Sequence, residues 1–146
     1  MATLARDVMT PDPACRSPST SIDEVAKLMV QNDCGEIPVV DARDQVVGVV
    51  TDRDIVCRVV AAGKNPVGYT VEACMSHPVV TVRDDAPLDE VVATMEKHRI
   101  RRVPVVAEDG CCAGIISQAD IARDGTEHEV AELVREVSRE TGRAAA

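Results

Sequence analysis

"GVVTDRDI", residues 48–55, returns 66 residues later as "GIISQADI", residues 114–121. Each octet is a glycine, two β-branched residues, a hydroxyl residue, two variable positions, an aspartate and an isoleucine. Working outward, the same shift aligns Val8–Ile55 with Cys74–Ile121 without a gap. Eleven of those 48 positions are identical: Met9, Asp23, Glu24, Val25, Met29, Pro38, Val39, Val40, Gly48, Asp54 and Ile55 meet their own residue type 66 later. A repeat at one fixed offset dictates architecture before any single motif does. Two copies point to a pseudo-symmetric pair, not to a solenoid.

Each copy reads as β-α-β-β-α. In the first, Ile22, Val25, Ala26 and Met29 draw one apolar helix face; Leu88, Val91, Val92 and Met95 draw it again in the second. Ser21 and Glu24 have the spacing of a capping box. "IPVV" (37–40) and "VPVV" (103–106) are short β-branched runs, each followed by a polar turn and a second run, "VVGVV" (46–50) or "CAGII" (112–116). Two such runs with a short polar connection predict a hairpin. The hydroxyl of Thr51 or Ser117 then caps a second helix. A short leading strand is expected near 14–16 and 79–82. Gly63, Pro66 and Gly68 mark a connector. Residues 126–142 predict a further helix, with Thr126 and Glu129 as capping box, Gly142 just past its end, a frayed tail, and an apolar stripe Val130, Leu133, Val134, Val137. The expected division is a first unit over 6–62, a linker over 63–73, a second unit over 74–124, and a C-terminal helix and tail over 125–146. The fold class is α+β.

Composition bounds the function. The 146 residues carry a net charge of −9, with no Phe, no Trp and a single Tyr. An acidic surface repels phosphate backbones, and almost no ring is available for base stacking, so nucleic acid is not an expected partner. No apolar run is long enough to span a bilayer, and the N-terminus has no signal-peptide stretch, so a cytoplasmic protein is expected. The six cysteines form no Cys-x-x-Cys pair. In a reducing compartment they are expected to be free thiols, often buried as small hydrophobes; the vicinal Cys111–Cys112 pair could be redox-sensitive, but inert thiols are expected there. Cys74 and His77 alone are too few ligands for a zinc site, so no metal is expected. No sequence spacing sets a hydroxyl or thiol against one of the scattered histidines as a nucleophile–base pair, and no Walker-type loop is present, so no catalytic set is expected.

A tandem of units of about 60 residues, each with h-P-V-V and G-h-h-[T/S]-x-x-D, resembles a CBS-domain pair, or Bateman module. The details "TDRDIV", "HRIRRVPVV" and "ADIAR" are similar to small stand-alone bacterial proteins of this family, including the hypoxic-response type. The resemblance implies two CBS units about a pseudo-twofold axis. It also implies clefts between them for adenosine-containing ligands: AMP, ADP, ATP, S-adenosylmethionine or NAD. No cofactor is required by it, and a homodimer is implied.

The octets fit that chemistry. Gly48 and Gly114 leave room for a ligand to approach the backbone. Thr51 and Ser117 offer a hydroxyl to a phosphate, and Asp54 and Asp120 offer a carboxylate to the ribose diol. The resemblance assigns the same jobs. It also places Ala14 and Val80 at the adenine pocket and Ile37 and Val103 as apolar walls. Basic groups near the phosphates fall at Arg101 and Arg102, which match Gly35 and Glu36 in the first copy, and at Arg53. Glu36 departs from the pattern, because a carboxylate repels phosphate. Two bland readings stand beside these. Thr-x-x-Asp is also an ordinary helix cap. Arg101 and Arg102 also read as a solvated surface pair. The function expected is a non-catalytic regulatory sensor of adenine nucleotides acting on an unknown protein partner. The alternatives are a structural or oligomerisation module with dead clefts and, further off, a weak nucleotide-processing enzyme.

Overall fold

Valine and isoleucine lose little by adopting extended backbone, and the two β-branched runs of each copy pair as hairpins. The structure, a computed structural model, describes residues 3–124 and 127–144, with side chains through Ser138. In chain order the elements are α1 (Ala5–Val8), β1 (Thr10–Pro11), α2 (Ile22–Asn32), β2 (Glu36–Val40), β3 (Val46–Thr51) and α3 (Asp52–Ile55). The last continues as a π-helical stretch over Val56–Val60, and 3-10 turns follow at Pro66–Gly68 and Val71–Ala73. Then come β4 (Val82–Arg83), α4 (Leu88–His98), β5 (Arg102–Val106), β6 (Cys112–Ser117), α5 (Gln118–Asp124) and α6 (Glu127–Ala144).

The chain divides into two compact units that interleave along the sequence. One holds the first octet and consists of Asp12–Val79 and Gly110–Cys112; the other holds the second octet and takes the described residues of Met1–Pro11, Val80–Asp109 and Ala113–Ala146. Each copy's leading segment therefore packs with the other copy's octet. In the second-octet unit, the strand order is β1-β6-β5-β4, with Thr10 opposite Ile115 and Val82 parallel to Val105. In the first-octet unit, β2 and β3 pair antiparallel, and single bridges join Ser76 to Val49 and Arg16 to Val39. Those pairings are the same ones at the offset of 66: 16 becomes 82, 39 becomes 105, 49 becomes 115, and 10 becomes 76. The two copies share one topology.

Each unit has its own apolar core. Ile22, Val25, Ile37, Val39, Val50, Val59 and Val71 fill the first-octet unit. Val91, Met95, Val103, Val105, Ile116, Ile121 and Leu133 fill the second-octet unit. Burying each such side chain contributes roughly 1.5–3 kcal/mol. The stripe on α4 is buried as expected. On α2, Leu28 is buried and Ala26 only partly so, a one-position shift of the expected face. The stripe on α6 covers its own unit: Leu133 and Val137 are in the core, Val130 packs against it, and Val134 is exposed.

Three local expectations change. Ser21 is the N-cap of α2, but its side chain makes no capping bond. The Ile22 N–H, in the first turn, donates to the connector's Tyr69 carbonyl at 3.0 Å, and the Glu24 carboxylate, which a capping box would turn back to the Ser21 N–H, faces Arg16 at 4.0 Å. Gly142 is not a helix stop, because α6 runs through it to Ala144. Thr126, expected to cap α6, and residues 145–146 of the tail lie outside the described residues.

Candidate functional site

Both octets end a strand and start a helix. In the first, Thr51 at the end of β3 adopts extended backbone, and its Oγ1 accepts from the Asp54 N–H at 3.0 Å. Asp54 Oδ2 accepts from the Thr51 N–H at 3.0 Å, closing a reciprocal capping box. In the second, the Asp120 N–H donates to Ser117 Oγ at 3.3 Å, and Asp120 Oδ2 accepts from the Ser117 N–H at 2.8 Å and the Ser117 hydroxyl at 3.0 Å. The cap reading of Thr-x-x-Asp thus holds in both copies, and each carboxylate accepts from the backbone N–H of its own hydroxyl residue.

The glycines of the octets serve a different purpose from the one expected. A Cβ at Gly48 would stand 2.9 Å from the Ser76 carbonyl oxygen and 3.2 Å from Met75 Sδ. At Gly114 it would meet Met9 Sδ at 2.5 Å and the Thr10 carbonyl oxygen at 2.8 Å. The space a side chain would fill is taken by the leading segment of the other copy, so chain packing, not ligand clearance, requires glycine there.

Each copy's expected site residues gather in one unit. In the first-octet unit, the Gly35 carbonyl accepts from the Asp52 N–H at 3.0 Å, and Glu36 pairs with Thr51 across β2 and β3. In the second-octet unit, the Arg101 carbonyl accepts from the Gln118 N–H at 2.8 Å. The residues ahead of "PVV" therefore border the octet in both. Glu36 is buried, whereas Arg101 is exposed and Arg102 half-buried. Ile37 and Val103 are fully buried in their cores; Ala14 and Val80 are partly buried against the same cores. Arg53 is exposed on α3.

Three further side chains reach the octet aspartates. Ser76 Oγ donates to both Asp54 oxygens at 3.4 Å. Arg58 Nε faces Asp54 Oδ1 at 3.9 Å, while its Nη1 donates to the carbonyls of Cys74 at 3.1 Å and Met75 at 3.2 Å. Arg123 Nη2 binds Asp120 Oδ1. The i,i+4 and i,i+3 spacings from Asp54 and Asp120 were the sequence signal for both arginines.

Cys74 is buried, and burial pushes its thiol up; Cys34 and Cys57 are exposed, and the others lie between. The Cys15 thiol is pulled below its ordinary value, chiefly by a hydrogen bond from Cys112, with burial opposing it. Among the described residues, no group of three or more His, Cys, Asp or Glu side chains is placed to hold a metal ion, and no helix is long and apolar enough to cross a membrane.

The sequence pattern of the CBS domain matches residues 5–61 and 71–126. The chain belongs to the CBS-domain family. Hypoxic response protein 1 of Mycobacterium tuberculosis is 34% identical over 135 residues, which span 92% of this chain and 94% of that protein. A solved CBS domain pair of protein MJ0100, in complex with 5'-methylthioadenosine and S-adenosyl-L-methionine, is 32% identical with a TM-score of 0.76, covering 84% of this chain and 95% of that one. The structure of CBSX2 in complex with AMP is 28% identical with a TM-score of 0.71, covering 83% and 94%. The β-α-β-β-α repeat and the C-terminal helix are thus those of a CBS pair followed by α6.

Proposed function

We propose that this CBS pair is a non-catalytic sensor of adenosine-containing ligands, AMP, ADP or ATP in the first place, in the cytoplasm. The observation that carries it is the matched pair of octet carboxylates, Asp54 and Asp120, each fixed by its own hydroxyl residue at a strand-to-helix junction. A carboxylate so held accepts the two ribose hydroxyls. The phosphates fall to the hydroxyls of Thr51 and Ser117 and to the guanidiniums of Arg53, Arg101 and Arg102, which suit bidentate phosphate binding. The complexes of CBS relatives with AMP and with S-adenosyl-L-methionine support the ligand class; NAD is a further candidate. Signalling requires a ligand that binds two conformations unequally, read out through a homodimer or a protein partner.

A ligand-panel thermal shift tests this reading. Adenosine, AMP, ATP, NAD and S-adenosylmethionine are each added to the full chain. At a hundredfold excess over Kd, a bound ligand raises the melting temperature by roughly 5–10 °C. Arg102→Ala weakens binding more as phosphates are added and leaves adenosine unaffected. Light scattering of the same samples gives the mass of a dimer. A panel without any shift leaves the second reading, a structural module whose octets are caps only, which the closed capping boxes favour.

A further inference from the structure

We propose that Arg123 latches the second octet, so that its aspartate takes up a ribose less readily than the aspartate of the first. This rests on the ligand reading above and adds a difference between its two sites. A ribose diol brings two O–H donors and needs two open lone pairs on the carboxylate. Asp120 has little left to offer. Both lone pairs of Oδ2 are taken, by the Ser117 N–H at 2.8 Å and the Ser117 hydroxyl at 3.0 Å. Oδ1 is bound by Arg123; both octet carboxylates are largely buried, 7% exposed at Asp120 and 12% at Asp54, so the difference lies in their partners.

Asp54 is more open. Its Oδ2 holds one short bond, from the Thr51 N–H, and Ser76 spreads two long contacts of 3.4 Å over both oxygens. Arg58 Nε stands at 3.9 Å, an ion pair beyond hydrogen-bond distance, while its Nη1 is held by the Cys74 and Met75 carbonyls. A ribose hydroxyl replaces the long Ser76 contacts at little cost, whereas at Asp120 it must displace a guanidinium.

Duplication does not explain the latch. The position 66 before Arg123 is Cys57, and the position 66 after Arg58 is Asp124, so each copy brings its arginine from a different place. The Arg123 side chain is 68% exposed, so it is free to swing away and solvent screening keeps the latch weak. Lifting it is therefore expected to raise affinity by about threefold.

Calorimetry with adenosine, which has no phosphate for an arginine to attract, reads the effect in the full chain. Asp120→Asn leaves the first octet and Asp54→Asn the second. The first octet is expected to bind adenosine more tightly. Adding Arg123→Ala to Asp54→Asn is expected to strengthen the remaining site about threefold. Added salt should strengthen that site while Arg123 is present and leave it unchanged once Arg123 is gone, a response a purely structural arginine would not produce. Equal affinities at the two octets, or an Arg123→Ala change that weakens or does not alter the second, overturn the latch while leaving the ligand reading intact. Failure of the wild-type chain to bind either adenosine or AMP overturns the ligand reading, and the latch with it.

Discussion

At the scale of single residues, the octet is a junction made of parts with separable jobs. The hydroxyl and the aspartate close a cap, and the glycine admits a neighbouring backbone. Gly48→Ala and Gly114→Ala should each destabilise the fold by about 1–3 kcal/mol, the cost of overpacking. A Cβ would come within 2.9 Å of the Ser76 oxygen in one and 2.8 Å of the Thr10 oxygen in the other. Chemical denaturation measures this, and two neutral variants would show that the leading segments do not need that clearance. Sequence alone could not separate this role from ligand clearance, because a glycine is silent about what occupies the space beside it. The caps were legible because hydroxyl and carboxylate act within four residues of each other. The arginines on the aspartates were legible in principle by the same local spacing.

Between elements, helices and hairpins were readable because their periods of 3.6 and 2 are written in Val, Ile, Leu and Met. The exchange of leading segments was not. It is made of backbone bonds such as Ala5 N–H to the Ala86 carbonyl and Leu88 N–H to the Thr3 carbonyl, which carry no side-chain signature. At the start of α2 a backbone bond again carries no side-chain signature: the Ile22 N–H goes to the connector's Tyr69 carbonyl, while Ser21 makes no side-chain cap. The packing of α6 on its unit adds a pH dependence. Glu96 of α4 has its carboxyl pushed up, first by burial and then by Glu132 and Glu136, with His128 pulling it down and Glu129 adding further repulsion. The folded state therefore binds this proton more tightly than the unfolded chain. Its contribution is favourable at acid pH and is lost as pH rises from the ordinary carboxylate range through the raised value. Glu96→Gln should accordingly raise the melting temperature at neutral pH, with the gain vanishing below the ordinary carboxylate range. A gain that is constant with pH would point to packing and away from charge.

For the whole molecule, two copies of one topology share their pairings at a single offset, yet differ around the octets. The first copy has Gly35, Glu36 and Arg53, the second Arg101, Arg102 and Ala119. On the proposed reading, such differences fit unequal sites, the outcome expected when a duplicated unit diverges around its octets. The repeat and the family were legible because the offset recurs over most of the chain; the different hydrogen bonds on the two octet carboxylates were not, because they depend on where Ser76, Arg58 and Arg123 fold. On the proposed function, the octet aspartates receive a ribose. A crystal structure of the full chain grown with AMP tests it most directly. The 2'- and 3'-hydroxyls are expected within hydrogen-bond distance of Asp54, with the Thr51 cap retained. AMP bound away from both octets, or its ribose on neither Asp54 nor Asp120, would contradict it.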